Sequence, residues 1–147
     1  MTDDLTIRPL HPRDRAGWEP LWRGYLAFYR ADLPDDVTEH TWTTLTDPDS
    51  RVHGLVAANG DSLIGLAHLV LHETTWATSV TCYLEDLFVD RSVRGAGVGR
   101  RLIGAVYEFA DERGASGVYW LTQEYNSPAR SLYDTLAHRS SFVVYQR

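Results

Sequence analysis

Apolar and polar residues alternate from Leu5 to Leu10, the pattern of a half-buried strand that ends near Pro9. The period then changes. Trp18, Leu21, Trp22, Tyr25, Leu26, Phe28 and Tyr29 recur at three- and four-residue steps, which predicts a helix with an aromatic face. Pro34-Asp35-Asp36 breaks that helix. Thr38 to Thr46 reads as a second, short helix stopped before Pro48. Two apolar runs flank Asn59-Gly60, the strongest short-range signal for a β-hairpin. Thr78 to Asp90 is rich in β-branched and aromatic residues and predicts another strand. From Gly99 to Arg113, Leu102, Ile103, Val106, Phe109 and Ala110 form one helical stripe, and Gly114 closes it. Gly117 to Thr122 reads as a buried strand. Ser127 as N-cap and Pro128 at the first helical position open a further helix through Leu132 and Leu136. Ser141 to Arg147 reads as a last strand.

The middle strands are linked by hairpins and are therefore antiparallel. The step from Phe88 through the Gly99 helix to Val118 is a crossover, so those two strands are parallel. A mixed sheet with helices packed on it follows. No repeat, linker or low-complexity tract interrupts residues 1–147, which fit a single domain.

Composition narrows the partners. The 147 residues are 44% apolar and 23% charged, ordinary for a globular protein. No apolar run approaches the roughly 18 residues of a membrane span. The start, Met1 to Leu10, is acidic and lacks a secretion pattern, so a cytoplasmic location is the expectation. A formal net charge of −6 argues against nucleic acid and suits cationic small molecules better. Cys82 is the one cysteine, which excludes an internal disulfide and a cysteine zinc cluster. His68 and His72 are four apart in a strand, about 13 Å by strand rise, so they cannot share a metal, and no metal site is expected. All 14 basic residues are arginine, which excludes lysine Schiff-base chemistry and the lysine of an NTPase phosphate loop.

The chemistry concentrates at Gly95-Ala96-Gly97-Val98-Gly99, between a strand and a helix. Unpaired N–H groups of a first helical turn attract anions, and glycines let phosphate oxygens approach the backbone. Arg94 and Arg100 can add charge from the sides. The Walker pattern is absent, and the dinucleotide fingerprint fails because its third glycine position is Arg100.

At these residues the sequence resembles the general N-acetyltransferase (GNAT) superfamily. Arg94-x-x-Gly97-x-Gly99 matches its acetyl-CoA-binding loop, and Asn126 followed by Tyr133 resembles its second motif. "YLEDLFV" followed by "EYN" is similar to diamine (spermidine/spermine-type) and histone/polyamine acetyltransferases. The resemblance implies an α/β (α+β) GNAT fold: a mixed, mostly antiparallel twisted sheet of six to seven strands flanked by about four helices. It implies acetyl-CoA as co-substrate, a primary amine as acceptor, and Arg94, Gly95, Ala96, Gly97, Val98, Gly99 and Arg100 at the diphosphate. Leu87, Phe88 and Val89 would offer main-chain groups to the pantetheine arm and one N–H to the oxyanion, with Asn126 bonding the arm or the acceptor. One departure stands out. The usual Leu-Gly-Phe after the tyrosine helix is Leu136-Ala137-His138 here, with one strand following. A homodimer in which a partner subunit completes the sheet edge is the expectation.

Amine acetylation needs a base, because an alkyl amine with a pKa of about 10.4 arrives protonated. It also needs an acid for the departing thiolate. By the resemblance Glu85 is the candidate base, acting through water, and Tyr133 the candidate acid. Glu85 could instead only bind the cationic substrate. Asp86 follows directly, and neighbouring strand residues face opposite sides unless a bulge resets the alternation. The resemblance implies that bulge. Asp32, Asp86 and Glu124, with Asp35, Asp36 and Glu39 nearby, are candidates to line a pocket for a polyamine, a basic peptide or an amino sugar. Two other functions remain open: a non-catalytic acyl-CoA-binding or sensing module, and a protein acetyltransferase acting on lysine or an N-terminus.

Overall fold

The computed structural model describes residues 4–93 and 95–147. Five strands form one sheet in the order β1-β2-β3-β4-β5. These are β1 (Leu5–Pro9), β2 (Val52–Asn59), β3 (Ser62–His72), β4 (Thr81–Val89) and β5 (Val118–Tyr119). The first four are antiparallel neighbours; β5 lies parallel to β4. Four α-helices pack on the sheet: α1 (Arg15–Phe28), α2 (Asp35–Leu45), α3 (Val98–Glu112) and α4 (Ser127–Leu136). This is the expected mixed, mostly antiparallel architecture, with fewer strands than the six to seven expected. Ser141–Arg147 forms no strand. Its run of aromatic and β-branched residues has strand propensity, yet Phe142, Val143, Val144 and Tyr145 are 83%, 75%, 63% and 93% exposed. The run after Gly117 keeps strand geometry for two residues only, Val118 and Tyr119.

Each sheet face buries one set of alternating side chains. The α3 face holds Leu55, Ala57, Ala67, Leu69, Cys82 and Leu84 against Val98, Leu102, Ile103, Val106 and Phe109. Leu102, Ile103 and Val106 are completely buried, each contributing about 1.5–3 kcal/mol relative to exposure. Cys82 is part of this core, and burial pushes its thiol up to about 11, so it packs rather than reacts. The other face holds Leu66 and Phe88 against Trp18, Leu21 and Trp22 of α1.

The helix ends follow local chemistry. Gly60 at φ 62° turns the β2–β3 hairpin, and Gly114 at φ 65° follows the end of α3. The N-cap of α4 is Asn126, not Ser127: Asn126 Oδ1 accepts from the Ala129 N–H at 3.4 Å. Pro128 still sits in the first turn, where its missing N–H costs nothing. Before α1, Asp14 accepts from the His11 N–H and takes both terminal nitrogens of Arg8, at 2.8 and 2.9 Å, tying β1 to the helix entry.

Candidate active site

A one-residue irregularity in β4 builds the site. Leu84 pairs with Leu69 and Asp86 pairs with His68, the preceding residue of β3. Glu85 is therefore the extra residue of a β-bulge. Leu84 and Leu87 consequently both face α3, while Asp86 and Phe88 face α1. Without the bulge, Leu87 would face the wrong way. The sheet also opens here. The β4–β5 ladder ends at the Tyr83–Tyr119 pair, so no residue of β5 stands opposite Glu85.

Glu85 is exposed, but the protein around it and the neighbouring Asp86 charge push its carboxyl above the ordinary glutamate range. Tyrosines surround the carboxylate pair. Tyr83 stacks on Tyr119 at 4.8 Å between centroids, and the Tyr119 hydroxyl meets His72 Nε2 at 2.8 Å. From α1, Tyr25 packs between Trp22, at 5.7 Å, and Tyr29, at 5.1 Å. Burial first, then Asp86, raises the phenols of Tyr25 and Tyr29, so both keep their protons at neutral pH. On α4, Tyr133 meets Trp120 edge to face at 5.4 Å. Burial, followed by Tyr29, raises its phenol as well, which leaves Tyr133 a proton donor. The Glu85 pair and Tyr133 thus border the same tyrosine cluster.

The glycine turn joins β4 to α3. Gly95 and Gly97 have φ of 90° and 77°, a region that side chains strain to enter. A Cβ built on either would meet nothing within 4 Å, so the space above the turn is open. Gly97 is the N-cap of α3 and supplies no side-chain hydrogen bond to it. The first-turn N–H groups therefore face that open space, the arrangement that suits a phosphate. Val98 is 3% exposed, so its side chain is core. Gly99 lies at the contact of α3 with α4 and β4: a Cβ there would stand 3.5 Å from Leu132 and 4.0 Å from Val89. Ala96 is exposed; the Arg100 guanidinium reaches Thr135 of α4 at 3.0 Å. Arg94 lies outside the described residues. Leu87, Phe88 and Val89 run from the bulge toward this turn, paired with Ala67, Leu66 and Gly65 of β3.

The acidic candidates separate. Asp86 belongs to the cluster just described. Asp32 and Glu124 are exposed, on the segments before α2 and before α4. Glu39 is ion-paired with Arg15, and Asp35 stands 3.7 Å from Arg23. Those two carboxylates are surface partners of α1. No group of three or more His, Cys, Asp or Glu side chains able to hold a metal occurs among the described residues. Among the described residues, no helix is long and apolar enough to cross a membrane.

His68 joins this cluster without having been singled out as a site residue. His68 is 3% exposed, and its two ring nitrogens join Asp86 to Trp18. A lone histidine inside the apolar run Leu66-Ala67-His68-Leu69-Val70 needs partners once buried, and that was the available signal.

The sequence profile of the Acetyltransferase (GNAT) family matches residues 18–137, and the chain belongs to that family. The D-amino-acid N-acetyltransferase HPA3 of Saccharomyces cerevisiae is 36% identical over 100% of this chain and 92% of its own length. The uncharacterised N-acetyltransferase YhfO of Bacillus subtilis is 30% identical, covering 96% of this chain and 95% of its own. In fold, the chain superposes on the aminoglycoside N-acetyltransferase AAC(6')-Iy in complex with CoA with a TM-score of 0.83, at 21% identity over 97% and 93% of the two chains. The protein is an acetyl-CoA-dependent N-acetyltransferase.

Proposed function

We propose that the enzyme acetylates a cationic primary amine by direct attack, with Glu85 as water-mediated base and Tyr133 as acid. The observation that carries this is the bulge. It singles out Glu85 where β4 and β5 part, in surroundings where partial burial, and then the Asp86 charge, make its carboxyl easier to protonate. A carboxyl raised above the ordinary glutamate range is a better proton acceptor for an ammonium than an ordinary glutamate. Acetyl-CoA supplies the activated acyl group. The chain's own residues do the rest. The N–H groups from Gly95 to Arg100 hold the diphosphate. Main-chain groups of Leu87, Phe88 and Val89, with Asn126, hold the arm. Tyr133, whose phenol keeps its proton, protonates the departing sulfur. Asp86 draws the ammonium, and Asp32 and Glu124 extend the negative field from the flanking segments.

The acceptor class follows from charge. The cluster contains two adjacent carboxylates and several phenols, which suits a polyamine or another amine whose remaining groups are cationic. A D-amino acid is the second reading, because a relative named for that activity matches along the whole chain. CoA release measured with polyamines, D- and L-amino acids, amino sugars and basic peptides separates these. Turnover greatest with polyamines supports the first reading; turnover confined to D-amino acids replaces it with the second.

The tail bears on assembly. Phe142–Tyr145 is apolar, exposed and outside any strand, and β5 is a two-residue edge strand. A homodimer in which a partner covers this tail accounts for both. Sedimentation showing a monomer at micromolar concentration would rule it out.

A further inference from the structure

His68 makes two hydrogen bonds that together fix its chemistry. Trp18 Nε1 lies 3.0 Å from His68 Nε2, and Asp86 Oδ2 lies 2.8 Å from His68 Nδ1. An indole N–H can only donate. Nε2 must therefore present its lone pair to Trp18, which leaves the ring proton on Nδ1, pointing at Asp86. Protonating both nitrogens would set an N–H against the Trp18 N–H. Trp18 has no room to turn away. It is fully buried, stacked on Trp22 at 5.8 Å and packed against Trp42 at 4.9 Å. Trp22 is itself bonded to Thr38 of α2 at 3.1 Å.

The result is a directed chain, Trp18 to His68 to Asp86, running from the core to the cleft. Asp86 is its outer end. The groups facing Asp86 are His68 from β3, Tyr25 and Tyr29 from α1, and Glu85 and Tyr83 from β4. None of them is an arginine, so among the described residues no fixed cation pairs with this carboxylate. A negative charge held by a buried N–H and lacking a counter-ion is a receptor for a cation from solution.

We propose that His68 is a positioning residue for the transfer reaction: held by Trp18 with its proton on Nδ1, it fixes Asp86 as the anchor for the acceptor's ammonium group, one residue from Glu85. This rests on Glu85 marking the acceptor side of the cleft. The anchor sets affinity for the amine, not for acetyl-CoA, and it does not require Glu85 to be the base.

Two substitutions divide the two bonds. In His68→Asn the side-chain amide N–H takes the place of Nδ1–H and keeps Asp86, while Trp18 loses its acceptor. In His68→Gln the amide reaches the Nε2 position and keeps Trp18, while Asp86 loses its donor from β3 and keeps the Tyr25 hydroxyl. The full-length variants are compared by KM for amine, KM for acetyl-CoA and Tm. The expected result is an amine KM within about threefold of wild type for His68→Asn. For His68→Gln it rises about tenfold, the effect of losing one hydrogen bond to a charged group. Acetyl-CoA KM stays unchanged in both. A purely structural histidine would instead make amine KM follow Tm. Equal amine KM in the two folded variants, or a larger rise in His68→Asn, overturns the proposal. Glu85→Gln is measured alongside. An unchanged pH profile there, with the His68 split intact, removes the base assignment and leaves the anchor standing.

Discussion

Glu85 has no counterpart across the β3–β4 ladder, because Leu84 is opposite Leu69 and Asp86 is opposite His68. That single extra residue decides what the cleft contains. It turns Asp86 onto the α1 side, where His68 and Tyr25 meet it, and leaves Glu85 at the point where β5 departs.

The glycine turn should tolerate no side chain at its centre. Gly97→Val puts a β-branched residue at φ 77°, costing at least about 1–2 kcal/mol of backbone strain, and fills the open space above the α3 N-terminus. Calorimetry with CoA should show binding lost, while Tm falls only by the amount the strain implies. Retained CoA affinity would mean the diphosphate sits elsewhere.

Tyr133→Phe should lower kcat by about 10²- to 10⁴-fold, the range for one acid–base group, with acetyl-CoA affinity little changed. The packing against Trp120 survives in phenylalanine, so Tm should hold. Wild-type turnover in that variant would remove the acid role.

Asp14 should carry stability rather than activity. Hydrogen bonds from Arg8, and secondarily from the His11 N–H, hold its carboxyl below the usual aspartate range against the opposing effect of burial. A depressed folded pKa contributes stability above the unfolded value of about 3.9 and loses it as pH falls through the folded one. Asp14→Ala should therefore cost about 2 kcal/mol at pH 7 and progressively less below pH 4, read by urea denaturation. Arg8 is 30% exposed, so water takes up part of its lost pairing.

What was legible in the sequence was local. The glycine spacing at residues 95–99 specified a turn into a helix, and Leu102, Ile103 and Val106 specified its buried face. Both are short-range patterns, and both formed as expected. The last strand was not legible. Phe142 to Tyr145 has the aromatic and β-branched composition of a strand, but pairing needs a neighbour, and the sequence does not say whether one is present. Asn126 and Ser127 are both cap-forming residues, and only the backbone shows that the Asn126 oxygen reaches Ala129. The role of His68 depended on Trp18, fifty positions earlier, and on a bulge one strand away. The bulge itself was anticipated from the resemblance, and no periodicity revealed it.

The base assignment is tested most directly by the pH dependence of kcat/KM for the amine, in wild type and in Glu85→Gln. A base must lose its proton to act, so wild-type activity should rise with pH through a Glu85 pKa above the ordinary glutamate value. Glu85→Gln should lose that limb and turn over about 10²-fold more slowly at pH 7. An identical limb and rate in the two enzymes would contradict the assignment and leave Glu85 as a carboxylate that only attracts the substrate.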